Sequence, residues 1–314
     1  MKTFILSLAI TAVTVSVCSA ANSHAGASTA QFLKLGAGAR ASGMGEAFVG
    51  VVHDAAAIYW NPGGLSTLRG GSLSFMHAAW FEDINYQWAA YACPVRGFGI
   101  VGAAVQYLSY GSLEKRDATG LDGGTLSPSD MAASLSYAGN IGRYGVGMNL
   151  KYITTTIEHS AAAVAADIGV QRALGPRLTV GCVAQNMGSG MTFISEEDPL
   201  PMTIKLGGAW AITRNWLAAV DANAPNDDDI GYGAGTEYAC RLGTAARVAA
   251  RLGYTTSTRD TGRLNSVTAG LGVTFQEYTI DYAYVPYGNL GSTQRVSLTI
   301  NFTGPRQKSP PVTR

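Results

Sequence analysis

From Tyr144 to Tyr152 the chain alternates without a break. Tyr144, Val146, Met148, Leu150 and Tyr152 are apolar or aromatic, and Gly145, Gly147, Asn149 and Lys151 between them are small or polar. Side chains of a strand point to opposite faces at each step, so this run makes a ribbon with one oily face and one polar face. The same pattern returns near the end of the chain. Val296, Leu298, Ile300 and Phe302 alternate with Arg295, Ser297, Thr299 and Asn301, and Tyr278, Ile280, Tyr282 and Tyr284 alternate with Thr279, Asp281 and Ala283. No helical pattern stands ready to cover these oily faces. A bilayer covers them if the ribbons close into a ring with lipid outside and a polar lumen inside.

Fourteen such segments can be marked, starting near Gly71, Asp83, Phe98, Asp130, Tyr144, Ala161, Arg177, Leu200, Trp216, Ile230, Ala245, Leu264, Glu277 and Thr293. An even number suits a closed bacterial barrel, and closure is obligatory in hydrocarbon because an open edge leaves amide and carbonyl groups unsatisfied. The expected fold is all-β: a closed antiparallel transmembrane β-barrel over residues 71–302, followed by a polar tail, 303–314.

The N-terminus fits export. Lys2 precedes an apolar run from Phe4 to Val17, then Cys18, Ser19 and Ala20, which is the layout of a secretory signal peptide over residues 1–25. Cleavage after Ala20 or after Ala25 satisfies the small-residue rule equally. Acylation of Cys18 is disfavoured by the bulky Val17. No later run is long and apolar enough for a membrane helix. Export without such a helix, 39 glycines, 15 tyrosines and only 14% charged residues all fit a β-rich chain of the outer membrane of a Gram-negative-type bacterium. Without Lys2 the chain carries 21 basic and 21 acidic residues, a balance that argues against nucleic acid as a partner. Cys93, Cys182 and Cys240 cannot make a disulfide framework, although one pair stays open; they are expected to be packed and not catalytic.

Connections supply an independent test, because such barrels alternate short periplasmic turns with longer external loops. The short set is Pro94 to Gly97, Asn140 to Arg143, Leu174 to Pro176, Thr213 to Asn215, Arg241 to Thr244, and Gln276. The long set includes Gly111 to Ser129, Gly188 to Pro199, Pro225 to Asp229 and Thr255 to Arg263. Trp80, Trp88, Trp210, Trp216, Tyr254 and Tyr287 are candidates for the aromatic girdles.

Residues 26–70 are too irregular for a strand and too rich in glycine for a long helix. The stretch QFLKLGAGARASGMGEAFVGVVHDAAAIYWNPGGLSTL resembles the N-terminal segment of the PorV/PorQ family, within the FadL-like barrels. The matching positions are Gly38, Ala39, Arg40, Gly43, Met44, Gly45, Asp54, Tyr59, Trp60, Asn61, Pro62, Gly64 and Leu65. The run from Tyr282 to Leu298 is similar to the family's closing hairpin, through Pro286, Leu290, Gly291 and Arg295.

The resemblance implies a barrel of 14 strands whose N-terminal segment, 26–70, folds into the lumen as a plug or hatch. It also implies uptake of hydrophobic small molecules, held in a pocket against the hatch and released through a gap in the wall. The other function it implies is that of a PorV-like component of type IX secretion, binding secreted protein cargo. Two departures are Gly63, where the family has Ala in Asn-Pro-Ala, expected to loosen the hatch locally, and the tail beyond Phe302. Read from the residues alone, Asn61 can turn the chain, Pro62 fixes φ, and Gly63 and Gly64 allow close approach; the plainer reading is a turn before the first strand. A hatch implies that Arg40 or Asp54 pairs with lumen charges. The candidates are Lys151, Asp167, Lys205, Asp221, Glu237, Arg247, Arg251, Asp281 and Arg295, read as a structural network before a selectivity filter.

Enzyme readings are weak. Glu158, His159 and Ser160 are adjacent, and neighbours in a strand face opposite ways, so no catalytic residue is assigned. Four histidines give no metal-ligand spacing, and no cofactor is expected. The glycines from Gly36 to Gly45 lack the Lys-Ser/Thr of a phosphate loop. Asp227, Asp228 and Asp229 are read as a solvated acidic loop with at most weak affinity for calcium. The partners expected are therefore outer-membrane lipid and either a hydrophobic small molecule or a secreted protein.

Overall fold

In the computed structural model, which describes residues 27–116, 120, 122–193, 196–256, 266–288 and 291–302, alternating segments become strands that close on themselves. They are β1 (Ser72–Ala79), β2 (Asn85–Val95), β3 (Gly99–Ser109), β4 (Ser129–Ile141), β5 (Tyr144–Thr156), β6 (Ser160–Ala173) and β7 (Leu178–Gly188). The ring continues through β8 (Thr203–Ala211), β9 (Trp216–Pro225), β10 (Gly231–Leu242), β11 (Ala246–Thr255), β12 (Val267–Phe275), β13 (Tyr278–Pro286) and β14 (Ser292–Asn301). Each strand pairs antiparallel with its neighbours in the chain, and β1 pairs with β14 from Ser72↔Asn301 to Ala79↔Gln294, which closes a barrel of fourteen strands.

The alternation sets the inside and the outside. On β5, Leu150 is 54% exposed on the outer face while Lys151 beside it is 4% exposed in the lumen. Leu135, Val164, Leu206, Val220, Leu252, Leu271 and Ile280 are likewise outward and bare. Such a surface is the wrong way round for water and the right way round for a bilayer. Every described strand begins within three residues of its expected start. The largest shift is at Leu200, where β8 begins only at Thr203 because Pro201 has no amide to give to a ladder. Leu264 and Leu290 lie outside the described residues, as do the signal segment 1–25 and the tail 303–314.

The connections sort by parity. One rim has short turns at 96–98, 142–143, 174–177, 212–215, 243–245 and 276–277, and the other, apart from the tight connection 157–159, has longer loops, two of which carry small hairpins, Leu113–Arg116 with Asp122–Leu126 and Met191–Thr192 with Glu197–Asp198. The alternation had not marked these hairpins, since they stand outside the bilayer ring.

Two expectations need correction. Trp210, Trp216 and Tyr254 face outward, but Trp88 is 2% exposed and turned into the lumen. Trp80 and Tyr287 stack on each other at 5.1 Å, with Trp80 also over Arg295, so they line the inside of the long-loop rim and not a girdle. The cysteines are free, and Cys182 is exposed on the outer wall instead of packed, because the ladder register gives it an outward place opposite Leu206.

Candidate functional site: the segment inside the barrel

Residues 27–71 pass through the lumen from the long-loop rim to the start of β1. Near its entrance, Asp227 accepts hydrogen bonds from Ser28 Oγ, Gln31 Nε2 at 2.6 Å and Lys34 Nζ at 2.5 Å. Burial works against the charged carboxylate, but these donors hold Asp227 below the usual carboxylate range. Asp227 is thus only 3% exposed and clasps the segment, so this part of the acidic loop is not solvated as expected.

Next comes α1 (Ala39–Ser42), a single turn whose Arg40 forms a bidentate pair with Glu237 on β10, at 2.8 and 3.0 Å. Glu237 also accepts from Arg251 Nε at 2.6 Å, and Arg251 pairs with Asp281 at 2.8 Å, which makes a buried row of alternating charges across β10, β11 and β13. Gly38 gives its amide to Met76 Sδ at 2.9 Å. Gly43 to Gly45 then press on the wall: a Cβ at Gly253 would stand 2.0 Å from Gly45 N, and one at Gly235 2.2 Å from Met44 O. Only glycine wall positions admit a backbone that close. Arg295, 1% exposed, donates to Ser42 Oγ at 2.8 Å and Tyr287 Oη at 3.0 Å and stands 3.5 Å from Glu46.

Asp221 receives two consecutive amides, Phe48 at 2.7 Å and Val49 at 2.8 Å. Asp54 Oδ1 accepts the Ala56 amide at 2.9 Å just before α2 (Ala57–Trp60); of the two expected pairing residues, therefore, Arg40 reaches a lumen charge and Asp54 bonds within its own segment. Trp60 is 1% exposed, donates to Ala37 O at 2.7 Å and meets Phe48 and Tyr59 edge-on. The ammonium of Lys205 lies 5.0 Å from the Trp60 ring and 5.5 Å from Tyr59, a cation held over aromatic faces.

Asn61 is fully buried. Its amide donates to Val49 O at 3.2 Å and to Val170 O on β6 at 3.0 Å, and its oxygen accepts the Gly63 amide at 3.0 Å. Pro62 follows at the head of a 3-10 turn, Pro62–Thr67. The wall opposite is again glycine: a Cβ at Gly147 would stand 2.3 Å from Pro62 O, and one at Gly169 2.2 Å from Asn61 Oδ1. Gly63 is within the same contact, since its own Cβ would come within 2.8 Å of Gly145 O and 2.9 Å of Gly169 O. The expectation that Gly63 loosens the segment is therefore corrected: in this wall, glycine is what lets it seat, and Gly64 is similarly close to Val52 O.

Lys151 and Asp167 pair at 2.8 Å behind α2, with Asn149 bridging Asp167 and Ile58 O at 2.7 Å each. The β6–β7 register slips between Ala166 and Ile168, where Asn186 takes φ 59 and gives its freed amide to Asp167 at 2.8 Å. Arg247 is exposed at the short-turn mouth, apart from these contacts. Sequence reasoning missed Asn149, Gln171, Gln185 and Asn186, which hold Ile58, Val52, Tyr59 and Pro201 carbonyls; their polarity on inward positions was the available signal. The trio at 158–160 does not converge: Glu158 pairs with Lys115, and Ser160 bonds Thr156 at 3.0 Å.

The segment lies between two cavities. Toward the short turns is a polar one of about 210 Å³ bordered by Arg40, Glu237, Arg251 and Asp281. Toward the long loops is one of about 530 Å³, walled by Leu33, Leu35, Trp80, Ile230, Val285 and Tyr287, with Lys205 and Arg295 at its polar side.

The family model described as type IX secretion system protein PorV matches residues 18–175, half of the 314-residue chain. The chain belongs to the PorV family. This PorV-family barrel also matches the toluene transporter TodX of Pseudomonas putida at 12% identity, covering 85% of this chain and 98% of that one with a TM-score of 0.57. A FadL homologue of Pseudomonas aeruginosa matches at 10%, covering 84% and 98% with a TM-score of 0.53, and the toluene transporter TbuX of Ralstonia pickettii at 12%, covering 82% and 96% with 0.54. At these identities the likeness is one of fold. No curated protein matches the chain in sequence. The PorV-family protein is an outer-membrane barrel of FadL-like architecture.

Proposed function

We propose that this PorV-family barrel takes up or handles hydrophobic small molecules, with residues 27–71 as its hatch. The observation that carries the reading is the chamber of about 530 Å³ on the long-loop side of the segment, where Leu33, Leu35, Trp80, Val285 and Tyr287 line the same space as Lys34, Glu46, Lys205, Asp228, Asp229 and Arg295. Its size falls in the range of roughly 300–1,000 Å³ usual for small-molecule pockets. Toluene transporters are among the barrels of like fold, which fits an apolar cargo. Passage would need the segment to shift, or an exit through the wall, and the slipped ladder between β6 and β7 is the weak point of that wall. The reading is of binding and passage, not of catalysis.

A second reading rests on the family description: a component of a type IX secretion system that receives secreted protein, with the lumenal segment as a seal. Native mass spectrometry of protein extracted gently from outer membranes separates the two. An apolar adduct of fatty-acid or hydrocarbon size, lost on filling the chamber by Thr203→Phe or Val285→Trp, supports uptake. A bound protein with no small adduct moves the assignment to secretion.

A further inference from the structure

The outer wall carries a hollow of about 730 Å³ that the lumenal site does not use. It runs across β5 to β10, and at its centre the outward positions are Cys182, Gly208 and Ala222, flanked by the larger Val170, Leu206 and Val220. A Cβ built at Gly208 meets nothing nearer than 4.0 Å, so the protein itself leaves this space open. At the short-turn end stands Arg172. Its guanidinium lies 4.7 Å from the Tyr144 ring centroid and donates through Nη1 to Tyr144 Oη at 2.6 Å, while its Nε is buried with no hydrogen-bond partner. A tyrosine thus fixes a cation at the membrane border with donors to spare, beside an apolar trough.

The rims differ in charge. Arg96, Arg143, Arg177, Arg214 and Arg241 are exposed at or beside five of the six short turns, and Glu277 is the one carboxylate described there. The long-loop rim instead presents Glu82, Asp83, Glu114, Glu158, Glu197, Asp198, Asp228 and Asp229, with Lys115 and Arg116 among them paired to Glu158 and Glu114. A guanidinium matches the oxygens of a phosphate in a forked geometry, and basic residues just outside hydrocarbon draw anionic lipid headgroups.

We propose that the hollow binds one anionic phospholipid from the leaflet at the short-turn rim, with an acyl chain over Gly208 and the phosphate on Arg172. A second copy of the chain is a poorer occupant, since docking at this height would set arginine against arginine. The proposal needs the barrel in the membrane and is independent of what crosses the lumen.

The test is native mass spectrometry of the full protein in detergent, exchanged against phosphatidylglycerol or phosphatidylcholine. The protein is expected to keep one phosphatidylglycerol with roughly tenfold preference over phosphatidylcholine. Arg172→Gln should bring that preference to parity. Gly208→Leu, whose Cβ meets nothing nearer than 4.0 Å, should strip the bound lipid while the folded barrel keeps its compact mobility on unheated gels. Equal retention of both lipids by the unaltered protein, or variants that keep lipid as well as it does, would overturn the proposal. So would a dimer mass that Gly208→Leu removes, because the occupant would then be a second copy.

Discussion

Asn61 and Arg40 anchor the same segment to different parts of the wall, and they do so by different physics. Around Asn61 the contact is one of shape and neutral hydrogen bonds: backbone packs on Gly147 and Gly169, and one buried amide satisfies carbonyls of both the segment and β6. Around Arg40 the contact is ionic, with Glu237 held between two guanidinium groups and Asp281 beyond them. A shape contact fails by steric exclusion and is indifferent to pH. A buried charge row fails when one partner is removed, because the remaining charges have already lost their water.

The comparison orders the expected effects. Glu237→Gln leaves Arg40 and Arg251 without their shared carboxylate, and it should cost about 3–5 kcal/mol in urea unfolding of the barrel in lipid vesicles. A cost near zero would mean that the lumen is wet enough to solvate both arginines. Gly147→Val drives two methyl groups into Pro62 and should cost about 3 kcal/mol, or else expel the segment. Expulsion would appear as protease cleavage within residues 60–67 and as new conductance in planar bilayers. Asn61→Leu keeps the volume but strands the Val49 and Val170 carbonyls, for about 2 kcal/mol. The Asn61 and Glu237 anchors share no residue, so the double variant should show the sum of the two losses; a smaller loss would show that the segment detaches as one body once either anchor fails.

The smallest effect concerns the entrance. Asp227 has a folded pKa below its unfolded value, so its clasp on Ser28, Gln31 and Lys34 contributes fully above pH ~3.9 and is lost as pH falls through the lowered value. Hydrogen exchange of the amides at 29–35 should stay constant from pH 8 to 5, after correction for the intrinsic rate, and lose protection only below about 4. Protection lost near neutral pH would show that the Asp227 clasp is not what orders this stretch.

Much of the barrel could be read in the chain before any coordinates. Leu150 beside Lys151 is a period-two statement, and in a ring wetted on one side and oiled on the other such a statement leaves little choice of register. The same alternation sets the inward side of Lys151, Asp167, Glu237, Arg251 and Asp281, which pair across neighbouring strands, whereas Arg295 meets Ser42 and Glu46 of the lumenal segment. Tryptophans were less legible. Trp88 and Trp210 look alike in sequence, and only the neighbouring side chains decide which one turns inward.

By itself, then, the sequence determined the number and order of the barrel strands and, outside residues such as Trp88 and Cys182, the sign of each face, because alternation is local. The tertiary structure alone decided which glycines receive the segment. Gly147, Gly169, Gly235 and Gly253 look like ordinary small lumenal residues until the backbone of Asn61–Pro62 or Met44–Gly45 arrives from far away in the chain. It also decided that Asp227 grips while Asp228 stays exposed, and that Arg40 finds a partner on β10 while Asp54 does not leave its own turn. Such pairings depend on which strand the ring brings opposite each point of the segment, and ring closure is a property of the whole chain.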